Sequence, residues 1–228
     1  MNYNFFSIVL ILFFNFTTAQ TLKAILIEKP IKGIGDETTL SDKALKPMIF
    51  SYLYSENKSI QNLISNEKSS IDTTYIEKYG IKHQTTSSIS RPSSFNRFKD
   101  FNLKKLKIVF TQDNKDINIK ESLPVFKWKL ISESQTINGY VCKKATTINT
   151  TFNSNQSIVA WYTEDIPIND GPMHYSGLPG FIIQVEISDI TVLTFDKLVF
   201  NKENTPIEEP NNRATEMSFS DYSKQSNK

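Results

Sequence analysis

The chain has 228 residues, 39% hydrophobic and 12% aromatic, which is enough to build a packed core and excludes global disorder. A formal net charge of +2 removes any electrostatic case for nucleic acid, and Lys58, Lys104, Lys105, Lys143 and Lys144 read as solvated strand faces. One cysteine, Cys142, forbids an intramolecular disulfide, and only two histidines, His83 and His174, supply a zinc site poorly.

The first element is an apolar run, Phe5 to Phe16, with the length of a signal-peptide core and short of a membrane span. Thr17 and Ala19 place small residues before a cut at Gln20, and no cysteine follows that cut to accept a lipid. An uncleaved anchor is the alternative, and the flanks lack the basic cluster it would need. The expectation is a signal peptide over 1–19 and an exported mature chain, periplasmic or extracellular, without a transmembrane segment.

β signals follow. KAILIE (23–28) and MIFSYLY (48–54) are apolar and aromatic, and turn residues follow each. Helical turns are conceivable at Ser41 to Ala44 and Ser59 to Ile64. From Thr85 to Ser94 the composition shifts to a polar loop without a core pattern. LKIVFT (106–111) resumes the strand signal, and Asp113-Asn114-Lys115-Asp116 reads as a hairpin turn. Phe126, Trp128 and Leu130 alternate with Lys127 and Lys129, the period of a half-buried strand. Asn138-Gly139 turns the chain into YVCKKATTI, where Cys142 fits as a small buried hydrophobe. SIVAWYT (157–163) is apolar on both faces, as a central strand covered on both sides would be. Phe181, Ile183, Val185 and Ile187 form one buried face, with Thr191 to Phe200 as hairpin partner across Ser188-Asp189. After Thr205 the chain is polar and broken by proline, and reads as a loose, disordered tail over 206–228. The fold class is therefore mainly β, one antiparallel domain with little helix and hairpins as its dominant connection, over residues 20–205.

The densest feature is Trp161 to Ile183, where glycine and proline cluster between two strands. Pro179 fixes φ and Gly180 can take positive φ, so Leu178 to Phe181 fits a type II turn; Gly171-Pro172 suits a second reversal. Such a loop can be purely architectural, closing one rim of the sheet. It can also be a binding lip, with Trp161, Tyr162, His174 and Tyr175 offering stacking surfaces and Asp165 and Asp170 offering acceptors.

The signature Gly177-Leu178-Pro179-Gly180-Phe181-Ile182 resembles that of the GLPGLI family, exported proteins of Bacteroidota. Trp128, the Gly139 to Ala145 run, Ala160 to Thr163, Asp165-Ile166-Pro167 and Gly171-Pro172 also look like family features, covering roughly residues 120 to 200. Phe181 replaces the family's leucine, and Asn153 to Gln156 stand where the family has a Gly-Arg pair, so no role of that arginine carries over. The resemblance implies a domain and no reaction. A similar domain occurs as a bowl-shaped β module beside the catalytic part of a glycan-releasing amidase, an analogy of architecture alone, which implies a single antiparallel, strongly curved sheet or open half-barrel here.

No catalytic set emerges. Glu164 and Asp165 are adjacent at a strand end and point to opposite faces, so they do not converge as a glycosidase pair must. Asp165 and Asp170 could meet through the loop, for hydrolysis or for calcium, and turn-stabilising aspartates suit them better. Cys142 has no evident histidine partner. The expectation is a non-catalytic envelope module binding a glycan, lipid or protein, with no cofactor and no metal. A hydrolase using the acidic residues and a structural component of the envelope are the alternatives.

Overall fold

The computed structural model describes residues 21–31, 45–65, 69–151 and 154–226. The expected signal peptide and the helical turn at Ser41 to Ala44 lie outside these residues. Thirteen strands and one helix follow in order: β1 (Thr21–Pro30), β2 (Met48–Ser55), β3 (Lys58–Ser65), β4 (Ser70–Lys78), β5 (Ile81–Ile89), β6 (Ser94–Asp100), β7 (Lys105–Gln112), β8 (Lys115–Ser122), β9 (Lys129–Ile137), β10 (Tyr140–Asn149), β11 (Gln156–Thr163), β12 (Phe181–Ile187), β13 (Thr191–Asn201) and α1 (Phe219–Ser226).

Eleven strands form one open antiparallel sheet in the order β8-β7-β6-β3-β2-β1-β13-β12-β11-β10-β9, and β4-β5 stand apart as a two-stranded ribbon. β1 binds the two halves, pairing with β2 on one side and β13 on the other. Four hairpins turn in two residues, at Glu56-Asn57, Tyr79-Gly80, Asp113-Asn114 and Asn138-Gly139, and all eight residues have positive φ. That is the type I′ geometry whose twist matches the flanking strands. β12 reaches β13 through three residues, and Ser188 and Asp189 in that turn also have positive φ.

The sheet is strongly curled. β7 and β12 are six strand spacings apart, roughly 29 Å if the sheet were flat. Yet Ile108 and Phe110 of β7 and Ile187 of β12 line one cavity. Inside the curl the main core joins β1, β2 and β10 to β13, with Leu22, Leu26, Tyr52, Ile158, Phe181, Val185 and Phe195 fully or almost fully buried. Tyr52, Phe181 and Phe195 meet with ring centroids 4.7 to 5.7 Å apart, and Cys142 is wholly buried.

Three expectations are corrected. Ser59 to Ile64 lies in β3, because ladder pairing with both β2 and β6 outweighs its weak helical pattern. Of the polar loop expected over Thr85 to Ser94, Thr85 to Ile89 belong to a strand, β5, whose ladder with β4 needs no core pattern. The half-buried strand expected from Phe126 begins only at Lys129; Phe126 and Trp128 instead pack inward from a connecting segment, and Leu130 is exposed.

After Thr205, where the sequence reads as a loose tail, the chain is a strap around the β8 edge. Glu209 pairs with Lys105 and Lys107, and Glu216 with Lys107 and Lys120. Met217 bridges Ile119 in parallel. Ser218 then caps α1, its Oγ accepting from Asp221 N–H. Phe219 and Tyr222 cover the second apolar cluster, Leu106, Ile108, Phe110 and Ile119. Too few apolar residues are spread over this strap to form a pattern on their own. They are stable only against the wall they cover.

Candidate functional site: a cavity inside the curled sheet

The loop between β11 and β12 folds back into the bowl. Phe181 N–H donates to Ile166 O at 3.1 Å and Ile182 N–H to Asp170 O at 2.9 Å, so the loop pairs with the strand it leads into. The corner at Pro179 is tighter than the expected type II turn: Gly180 N–H donates to Leu178 O at 2.8 Å, one residue sooner, which frees Phe181 N–H for Ile166. Gly180 sits at φ 140°, and a Cβ there would lie 2.1 Å from Thr163 O. At Gly171 a Cβ would lie 2.6 Å from Ile182 Cβ. Both glycines are required by close backbone approach. Pro172 opens the second reversal, where Tyr175 N–H returns to Pro172 O at 3.1 Å, and Gly177 N–H donates to Asn169 Oδ1 at 2.6 Å. Leu178 and Phe181 are buried in the core.

Asp170 anchors the loop to the far wall. It is wholly buried; one carboxylate oxygen accepts from Tyr52 Oη at 2.9 Å, the other from Gly171 N–H at 2.7 Å and from the Lys99 ammonium. Lys99 also donates to Gly171 O at 2.9 Å. Burial lowers the Lys99 pKa and the Asp170 carboxylate opposes that; burial, then Asp170, pushes Tyr52 well up. Gln61 adds a polar latch, with Nε2 donating to Gly171 O at 3.2 Å and Oε1 accepting from Met173 N–H at 3.1 Å. Asp170 is thus a structural partner with no oxygen turned to solvent.

The other residues expected to bind separate into two groups. Trp161 is buried and donates through Nε1 to Glu186 Oε1 at 3.2 Å, with Lys144 Nζ 5.6 Å from its ring centre. Tyr162 is buried in the main core, and Asp165 is exposed beside Glu164, which pairs with Lys143 on the surface. These three do not converge. His174 and Tyr175 do: their rings stack at 4.7 Å, and Phe126 packs against both. They belong to the wall of a cavity of about 470 Å³.

That cavity lies between the loop, the wing β6–β8 and the strap. Phe95, Ile108, Phe110, Ile119, Phe219 and Tyr222 supply apolar walls, and the half-buried Thr151, Ser154, Gln156 and Thr191 contribute polar lining. Glu28, Arg97, Asn149 and His174 are the groups able to recognise polarity. Desolvation raises the Glu28 carboxyl despite Arg97 and Arg91. Desolvation lowers His174 to about 3, helped by Arg97 and Lys99, so the ring is neutral. Tyr175 is pushed up to about 12, chiefly by burial. Among the described residues no group of His, Cys, Asp and Glu is arranged to hold a metal ion. Cys142, its pKa pushed up to about 11 by burial, is not an activated thiol.

The sequence reading missed Glu28, Phe95, Arg97 and the strap residues. The signal for the wing was Phe95, Arg97 and Lys99 at alternate positions, an apolar and two charged residues on one strand face. An inward-facing pair of cations has no meaning until their partners are placed.

A family model described as a protein of unknown function (Porph_ging) matches residues 149–184, the stretch from the end of β10 into β12. No curated protein matches the chain in sequence. Two crystal forms of PNGF-II, in space groups P21 and C2, share the fold with TM-scores of 0.53, at 14% and 13% identity. Each covers 90% of this chain, which spans only 33% and 32% of theirs. The likeness is therefore one of fold, between this chain and about a third of a longer protein. No helix among the described residues is long and apolar enough to cross a membrane.

Proposed function

We propose that the chain is an exported member of the GLPGLI family and a non-catalytic envelope binding module that holds a small, mainly apolar ligand inside its curled sheet. The cavity carries this reading: its 470 Å³ falls in the range of small-molecule sites, and its walls are mostly apolar with a few polar groups. The signature residues support the family, since the matching model overlaps Gly177 to Ile182. Export is supported by the apolar run Phe5 to Phe16 and the small residues Thr17 and Ala19. The aromatic pair His174-Tyr175 serves the ligand by shaping the wall. Trp161 and Asp170 serve it indirectly, by fixing the sheet and loop.

The test uses N-phenyl-1-naphthylamine, a neutral dye that fluoresces in apolar surroundings. The protein should bind it, and Ser154→Trp, which places a bulky ring in the polar lining, should abolish binding while leaving the thermal transition in place. Absence of dye binding, or binding indifferent to the tryptophan, removes the reading. N-terminal sequencing of the exported protein should begin at Gln20.

A further inference from the structure

Among the apolar walls of the cavity stands one cation with too few partners. Arg97, on β6, is 6% exposed and lines the cavity. A guanidinium carries five N–H donors. Among the described residues the one hydrogen bond of this side chain runs from Nη1 to Gln61 Oε1 at 3.3 Å, and that oxygen is shared with Met173 N–H. Arg97 Nε is buried without an acceptor among the described residues. Its Cζ lies 4.8 Å from the centre of the Phe95 ring, which covers the charge without bonding it. The neighbouring Lys99 differs, because Asp170 meets it directly. Glu28 lines the same cavity and attracts Arg97 from a distance, with no ion pair between them among the described residues.

A buried cation with unused donors is costly, so an acceptor brought by a ligand gains more there than in water. Away from Arg97 the lining of β7, β8 and α1 is Ile108, Phe110, Ile119, Phe219 and Tyr222, which offers little to a polar ligand body and much to an apolar chain. We infer that the cavity takes a single-chain amphipath: an acyl or alkyl chain along β7, β8 and α1, ending in an oxygen-acceptor head on Arg97. The inference rests on the cavity-binding reading above and adds the ligand's chemistry to it. A carboxylate is the preferred head, since it can accept two charge-assisted bonds from one guanidinium. Glu28 is the group such a head must compete with, its carboxyl raised by desolvation and lowered by Arg97 and Arg91.

The experiment displaces N-phenyl-1-naphthylamine with dodecanoate, dodecanol and dodecylammonium, each below its aggregation limit and at one pH and ionic strength. Dodecanoate should compete about tenfold more tightly than dodecanol, and dodecylammonium least well. Arg97→Met should level dodecanoate and dodecanol, while Arg97→Lys keeps part of the preference. Equal competition by all three heads on the unaltered protein overturns the assignment of Arg97 and leaves the cavity reading standing. Failure of the dye itself to bind overturns both. Because the ranking is read on the unaltered protein, it decides the matter even if the Arg97 variants fail to fold.

Discussion

Two regions of one sheet bury their residues by different means. In β10 to β13 the covered positions are mostly apolar and none is charged: Ala145, Ile158, Ala160, Ile183, Val185, Leu193 and Phe195 have no exposed surface. Each fully buried Val, Leu, Ile or Phe side chain there contributes roughly 1.5–3 kcal/mol. In the wing β6 to β8 the buried set includes Arg97, Lys99, Asp100, Lys107 and Asn118. That wing is held by carboxylates arriving from elsewhere, Asp170 from the loop and Glu209 and Glu216 from the strap. The first region is a filled core. The second is a wall assembled from distant segments, and the space between them is the cavity. The β11–β12 loop ties the two together, since its GLPG corner belongs to the core and its Asp170 to the wing.

The comparison breaks most severely at the corner. Gly180→Ala forces a Cβ against Thr163 O and should cost about 4 kcal/mol or more. In urea unfolding this reads as a large drop in midpoint, and an unshifted midpoint would mean the corner is not held as described.

Next comes the tie to the wing. Asp170→Leu leaves Lys99 buried and unpaired and should cost about 3–5 kcal/mol, while Lys99→Met with Asp170→Leu should recover much of the loss. A double-mutant cycle without coupling would show that the two groups do not meet.

Acid should act on the same junction. The folded protein holds His174 neutral, near 3, against about 6.5 for a free histidine. The unfolded chain therefore binds the extra proton first as pH falls below 6.5, and stability present above that value is lost down to about pH 3. The loss should amount to a few kcal/mol and shrink in His174→Phe; an unchanged acid limb in that variant would exclude the ring as its source.

Smaller effects sharpen the contrast. Tyr222→Ala thins the cover of the wing and should cost about 1–2 kcal/mol, with faster amide exchange in β8 and little change in β12. Cys142→Ala removes a small group from the filled region and should cost about 1 kcal/mol. The native thiol should resist alkylation until the sheet unfolds, so rapid labelling of the folded protein would place Cys142 outside the core.

The strands of the core half were legible because each carries its own evidence. β12 alternates Phe181, Ile183, Val185 and Ile187 inward against Gln184 and Glu186, and its turn residues mark where it reverses. β11 shows apolar residues on both faces: Ile158, Ala160 and Tyr162 are buried on one, while on the other Trp161 is buried and Val159 half-buried. The glycine-proline corner was visible as a rigid turn, though its geometry was not, because the partner of Phe181 N–H is Ile166, which only the folded loop brings near.

The candidate site was legible in part. His174 and Tyr175 stood out as aromatic residues beside the corner, but Trp161 and Tyr162 look identical in sequence and are buried elsewhere. Nothing local distinguishes a ring that lines a cavity from one that fills a core. Arg97, Glu28 and Phe219 lie far apart along the chain, and their convergence depends on the curl of the sheet and the path of the strap.

By itself the sequence determined the class, an antiparallel β protein, because period-two patterning and turn residues act over a few neighbouring positions. The strap, the buried Lys99–Asp170 pair and the cavity were decided by tertiary structure alone. These are contacts between segments tens of residues apart, and a charged residue shows whether it is solvated, paired or awaiting a ligand only once those segments have met.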